Sequence, residues 1–151
     1  MSDDDPREQL FVSDLMTPVV MALYPTDTLD AARIEMRFGH VRHLPVIDEE
    51  ARVVGLVSER DLMTTWWRDG SAAPVPVGPV MTTQLQMVTG ETPIQEAIAL
   101  LIEHRISCLP VVDREGKLVG ILTESDFVRH VYRGQMGTDY VPSWSAGAST
   151  L

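Results

Sequence analysis

The chain contains the same sentence twice. Residues 12–69, moved forward by 65 positions, lie on residues 77–134 without a gap. Met16-Thr17 falls on Met81-Thr82, Leu44-Pro45-Val46 on Leu109-Pro110-Val111, and Asp48 on Asp113. Val54-Gly55 falls on Val119-Gly120, Glu59 on Glu124 and Asp61 on Asp126. About a quarter of the paired positions are identical, and they cluster in blocks. A repeat this long dictates two copies of one supersecondary unit. Each unit has roughly 60 residues and is marginal alone, because so small a domain buries too little of its surface. The two are therefore expected to pack as obligate partners, with a pseudo-twofold cleft between them in which a ligand can sit.

Each copy reads in the same order. A short apolar stretch (Val19–Leu23; Leu85–Val88) is followed by a helix. In the first copy Asp27 can cap it, Leu29, Ala32, Arg33 and Met36 follow, and Gly39 stands near the end. In the second, Thr92-Pro93 with Gln95 reads as a capping box, and Ile94, Ala97, Ile98, Leu101 and Ile102 recur at helical spacing. Two strands then form a hairpin, Leu44–Ile47 with Arg52–Val57 and Leu109–Val112 with Lys117–Leu122. A second helix closes each copy, from about Glu59 to Arg68 and from about Glu124 to Arg133, stopped by Gly70 and Gly134. The fold class is α/β, two tandem β-α-β-β-α units. The expected divisions are a polar N-terminus (1–9), repeat one (10–69), a linker (70–76), repeat two (77–134) and a mobile tail (135–151).

Composition narrows the function classes. The net charge of -10 argues against a nucleic-acid partner, because phosphate neutralisation needs clustered Lys and Arg. The lone cysteine, Cys108, excludes an intrachain disulfide and reads as a buried, inert thiol. The N-terminus is acidic where a secretory signal would be basic, and no apolar run is long enough to span a membrane, so a soluble cytoplasmic protein is expected. No phosphate-binding loop, nucleophile elbow or metal-ligand spacing is present, and the chain is not expected to be an enzyme.

The chemistry concentrates in Gly-x-x-Ser/Thr-x-x-Asp, at Gly55–Asp61 and Gly120–Asp126. The hydroxyl falls at a helix N-cap, where free N–H groups can receive an anion. The carboxylate three residues on can accept two hydrogen bonds from a ribose diol. The same spacing also describes a plain helix cap.

These blocks, Leu15-Met16-Thr17, Arg42–Asp48 and Gly55–Asp61, with Val80-Met81-Thr82, Ile106–Asp113 and Gly120–Asp126, resemble the CBS domain, named after cystathionine β-synthase. Two in tandem resemble a Bateman module, here over about residues 10–134. The resemblance implies a regulatory module whose inter-repeat cleft binds an adenosine-containing ligand, AMP, ADP, ATP or S-adenosylmethionine, with no cofactor required. It places Ser58, Asp61, Thr123 and Asp126 at ligand-binding positions and Val20, Ala22, Leu85 and Met87 beside the adenine. It gives Arg42 and His43 to phosphates, serving the Thr123–Asp126 side, while Ser58 and Asp61 face Ser107 and Cys108 and rely on Arg60 or backbone N–H groups. It further implies a homodimer, for which the late helices of the two repeats, Leu62–Trp67 with its Trp66 and Trp67 and Phe127–Tyr132, are too apolar to stay free, and a protein target. The alternative is a structural dimerisation or partner-docking module with an empty cleft.

Overall fold

The computed structural model describes residues 9–18, 21–69 and 74–136. Repeat one holds α1 (Val12–Leu15), β1 (Thr17–Pro18), α2 (Leu29–Gly39), β2 (His43–Ile47), β3 (Val53–Ser58) and α3 (Glu59–Asp69). Repeat two holds β4 (Val88–Thr89), α4 (Ile94–His104), β5 (Cys108–Val112), β6 (Leu118–Thr123) and α5 (Glu124–Met136). Both hairpins are antiparallel, with His43 opposite Ser58 and Cys108 opposite Thr123, and both are irregular at the same place, Val46/Ile47 and Val111/Val112. β4 runs parallel to β5. Its counterpart in repeat one is a single parallel bridge from Leu23 to Val46. The apolar stretches that open the repeats are thus strands of one or two residues, shorter than their composition suggests. Val19 and Val20 lie outside the described residues.

Asp48 and Asp113 explain the hairpin turns. Asp48 Oδ1 accepts from the N–H groups of Glu50 and Arg52, both at 2.9 Å. Asp113 Oδ1 accepts from Glu115 at 2.9 Å and Lys117 at 3.0 Å. A short carboxylate that bonds its own backbone two residues on is a turn device. The last turn residue has positive φ in both copies, 65° at Ala51 and 81° at Gly116. The two turns meet on the pseudo-twofold axis. There Val53 N–H donates to Gly116 O at 3.2 Å and Leu118 N–H to Ala51 O at 3.0 Å.

The helix starts differ from their sequence reading. Thr28, not Asp27, caps α2, its Oγ1 accepting from Ala31 N–H at 3.1 Å. Asp27 accepts from Tyr24 N–H at 2.7 Å and so closes the preceding turn. Thr92 does the same job for Thr89 N–H at 3.1 Å, which leaves Pro93 at the cap and no capping box. At the other ends, α2 stops after Gly39 with His40 left-handed, and α4 stops with Arg105 left-handed. α5 runs through Gly134 to Met136, since an exposed helical glycine weakens a helix by only about 1 kcal/mol.

The leading segments of the repeats are exchanged. Thr17 and Pro18 pair with Ile121 and Gly120 of repeat two, not with their own hairpin. Thr82 pairs with Leu56 of repeat one. The helix starts follow suit: Ile94 N–H donates to Leu10 O at 2.8 Å and Leu29 N–H to Val75 O at 2.9 Å. Val12, fully buried, belongs to the core of Val88, Ile94, Ala97, Leu101, Leu109, Val111 and Leu122. Val77, equally buried, belongs to the core of Leu23, Leu29, Ala32, Met36, Leu44, Val46, Val57 and Leu62. Gly55 and Gly120 make the exchange feasible. A Cβ there would stand 2.4 Å from Met81 Sδ and 2.8 Å from Met16 Sδ respectively. Only glycine lets a crossing segment lie so close to the strand.

Candidate functional site

Between the repeats lies a cleft of about 570 Å³, a size suited to a small ligand. Repeat one contributes His43, Leu56, Ser58 and Asp61 from β2, β3 and the start of α3. The crossing segment contributes Thr82, Gln84, Leu85 and Gln86. The turn from α4 into β5 contributes His104 through Cys108. The left-handed Arg105 folds that turn back along the cleft wall.

Ser58 and Asp61 form a reciprocal cap. Ser58 N–H donates to Asp61 Oδ2 at 2.8 Å, and Asp61 N–H donates to Ser58 Oγ at 3.1 Å. Glu59 N–H goes to Arg42 O at 2.8 Å. Three N–H groups that spacing alone would leave free for an anion are therefore engaged. Among the described residues no donor reaches the other oxygen of Asp61, half-buried on the cleft wall.

Burial lowers the His43 pKa below its ordinary value. Asp61 pulls it up and Arg42 pushes it further down. The imidazole is thus neutral at pH 7 and can serve as donor and acceptor. Cys108 is almost fully buried, and desolvation, with a smaller push from Asp126, lifts its thiol to about 12. At pH 8 roughly one molecule in 10⁴ carries the thiolate. Reaction with Ellman's reagent at that pH is expected to be negligible over an hour in buffer and complete in denaturant. Prompt reaction of the folded protein would contradict the buried placement.

The other sequence-selected residues are placed as follows. Thr123 and Asp126 form the corresponding pair at the end of β6, where Thr123 N–H donates to Asp126 Oδ2 at 2.8 Å. His43 lines the Ser58–Asp61 cleft, whereas the sequence reading gave it to the Thr123–Asp126 side. Register explains this, since His43 is the cross-strand partner of Ser58. Arg42 lines a different groove of about 670 Å³ between α2 and α3. That groove is lined by repeat one alone and is not the inter-repeat cleft. Arg60 is exposed on the first turn of α3 and does not line the cleft. Leu85 lines it, while Met87 is 42% exposed and points elsewhere, and Ala22 is half-buried away from it. Val20 lies outside the described residues. Gln84, Gln86, His104 and Arg105 are lining residues that the sequence reading did not select. The repeat itself held the signal for the last two, because they stand just before the Ile106–Cys108 block. Among the described residues no group of three metal-ligating side chains is assembled. None of their helices is long and apolar enough to cross a membrane.

The CBS domain family model matches residues 12–67 and 77–133. A crystal structure assigned to acetoin utilisation, AcuB of Vibrio cholerae, is 32% identical, with a TM-score of 0.77, over 89% of this chain and 99% of that one. CBSX2 of Arabidopsis thaliana, solved in complex with AMP, is 33% identical, with a TM-score of 0.73, over 83% of this chain and 98% of that one. The CBS domain-containing protein YhcV of Bacillus subtilis is 31% identical over 76% of this chain and 81% of that one. This chain belongs to the CBS-domain family and carries two tandem copies of the domain.

Proposed function

We propose that the protein is a regulatory module that binds an adenosine-containing ligand in the inter-repeat cleft. The observation that carries this is the meeting of an open carboxylate (Asp61), a hydroxyl (Ser58) and a cation (Arg105) on the walls of one 570 Å³ space. Asp61 can take the ribose hydroxyls. Leu56, Leu85 and Ile106 offer apolar surface to a base, and His43, Arg105 and the two glutamines can reach a phosphate. The likeness to an AMP-bound relative supports the same reading. With one permanent cation among the described lining residues, a single phosphate suits the cleft better than three. The setting we infer is the cytoplasm, on the acidic composition and the single cysteine.

The test is a thermal-shift panel of AMP, ADP, ATP, S-adenosylmethionine and NAD. A ligand at 100 times its Kd stabilises by about 2.7 kcal/mol, which is roughly a 5–10 °C shift for a chain of this size. AMP is expected to give the largest shift. No shift with any of the five at millimolar concentration would remove the nucleotide reading.

A second reading rests on a different observation. The helices show exposed apolar side chains, Phe38 at 81%, Met63 at 59%, Ile102 at 70% and Val128 at 69%. We propose that this helix face closes against a second copy, as a homodimer that also offers a docking surface to a protein target. Light scattering is expected to give twice the 16.8 kDa chain mass. A monomer at micromolar concentration would remove the homodimer. Trp66 and Trp67 lie in α3, but their side chains are outside the described residues.

A further inference from the structure

The two repeats align in sequence, yet their carboxylates are in different states. Asp61 is half-buried and accepts one side-chain-directed bond, from Ser58 N–H to Oδ2 at 2.8 Å. No donor among the described residues reaches its Oδ1. Asp126 is 3% exposed. Its Oδ1 accepts from the Thr17 hydroxyl at 2.7 Å and from Arg129 Nη1 at 3.0 Å. Its Oδ2 accepts from Thr123 N–H at 2.8 Å and from the Thr123 hydroxyl at 3.4 Å. A carboxylate offers about four acceptor directions, and at Asp126 all of them are taken.

The cause is two residues that repeat one does not reproduce in role. Arg129 aligns with Thr64, whose hydroxyl turns back to Arg60 O at 3.0 Å. Thr17 aligns with Thr82, which lines the cleft. The hydroxyls differ as well. Ser58 Oγ accepts from Asp61 N–H and keeps its own proton for an outside acceptor. Thr123 spends its proton on Asp126. A ribose diol arriving at Asp126 would have to displace a hydroxyl and a guanidinium and would exchange bonds rather than gain them. At Asp61 the same diol adds bonds to an oxygen that has none.

We infer that each chain takes one ribonucleotide, in the Ser58–Asp61 cleft, and that the Thr123–Asp126 position is a clasp holding the N-terminal segment on β6. The first half rests on the nucleotide reading above. The second half does not, because Thr17 and Asp126 are 109 positions apart in the chain and are joined in the free protein.

The experiment therefore has two arms on the full chain. In the first, calorimetric titration with AMP is expected to give one site per chain. Asp61→Asn should weaken it by about tenfold or more, the loss of a charge-assisted bond, and Arg129→Ala should leave it within about twofold. Two sites of similar affinity, or a single site that survives Asp61→Asn but not Asp126→Asn, overturns the assignment. In the second arm no ligand is used. Thr17→Val and Asp126→Ala should each lower the melting midpoint, and the double variant should melt no lower than Asp126→Ala alone, since the shared bond is lost once. Thr82→Val with Asp61→Ala should instead be additive. Additive losses for Thr17 and Asp126 overturn the clasp. If Asp126→Ala does not fold, Asp126→Asn takes its place in the cycle. Absence of AMP binding to every variant counts against the nucleotide reading and the one-site half, while the cycle still decides the clasp.

Discussion

Val12→Asp is expected to unfold the chain, although Val12 lies near its beginning and outside both hairpins. The side chain is fully buried in the core of repeat two, among Val88, Ile94, Leu109 and Leu122. Removing the valine forfeits about 1.5–2 kcal/mol of burial. A carboxylate left without a partner in that position adds about 3–5 kcal/mol. The sum rivals the entire stability of a small domain, about 5–15 kcal/mol. Circular dichroism in urea should show the midpoint falling by more than half, or no folded baseline at all. The neighbouring Ser13 is exposed, and Ser13→Asp should change little. Val77→Asp should match Val12→Asp, because Val77 occupies the equivalent place in the other core. A Val12→Asp protein that melts within about 2 °C of the parent would mean that the crossing segment is dispensable.

Asp61→Ala is expected to raise the Kd for AMP about 100-fold while leaving a folded protein. Two hydroxyl donors onto an ionised carboxylate contribute about 1.5–3 kcal/mol each, and every 1.4 kcal/mol is tenfold in Kd. The structural loss is smaller. Asp61 is half-exposed, and deleting a cap lowers stability by about 1 kcal/mol. Titration calorimetry together with a urea melt separates the two. An unchanged Kd would place the ribose elsewhere. A variant that lost both binding and fold would show that Asp61 acts first as a cap.

Much of the architecture was readable from the residues, and the failures have a common cause. The hairpins follow from local signals: a short apolar run, then an Asp whose side chain closes the turn. Helices α2 and α4 follow from period and stop where a left-handed residue, His40 or Arg105, interrupts them. The crossing segments were not readable. Leu10, Val12, Leu15 and Met16 find their partners about eighty to a hundred positions later, and a four-residue helix such as α1 leaves no periodic trace. Asp27 and Thr28 are chemically equal cap candidates, and the turn at Tyr24 decides between them. The site shows the same division. Ser58, Asp61, Ser107 and Cys108 line one cleft, the juxtaposition that the family resemblance implies. His104 ends α4, and the chain reversal at Arg105 places both on the wall. Leu85 and Met87, two apart, would share one face of a regular strand, but both precede β4 in irregular backbone, where only Leu85 reaches the cleft.

The exchange of leading segments also dictates the order in which this protein can be completed as it is made. Thr17 emerges early, but its hydroxyl waits for Asp126, 109 residues further along. At synthesis rates of about 5–20 residues per second, that interval is about 5–20 s. Throughout it this crossing segment has no strand to join, and the core of repeat two that will receive it does not yet exist. Repeat one is held open in its turn until Val77 and Thr82 follow. The core of repeat one can therefore close as soon as its crossing segment follows, whereas that of repeat two closes only when β6 and the start of α5 arrive and Asp126 fastens Thr17.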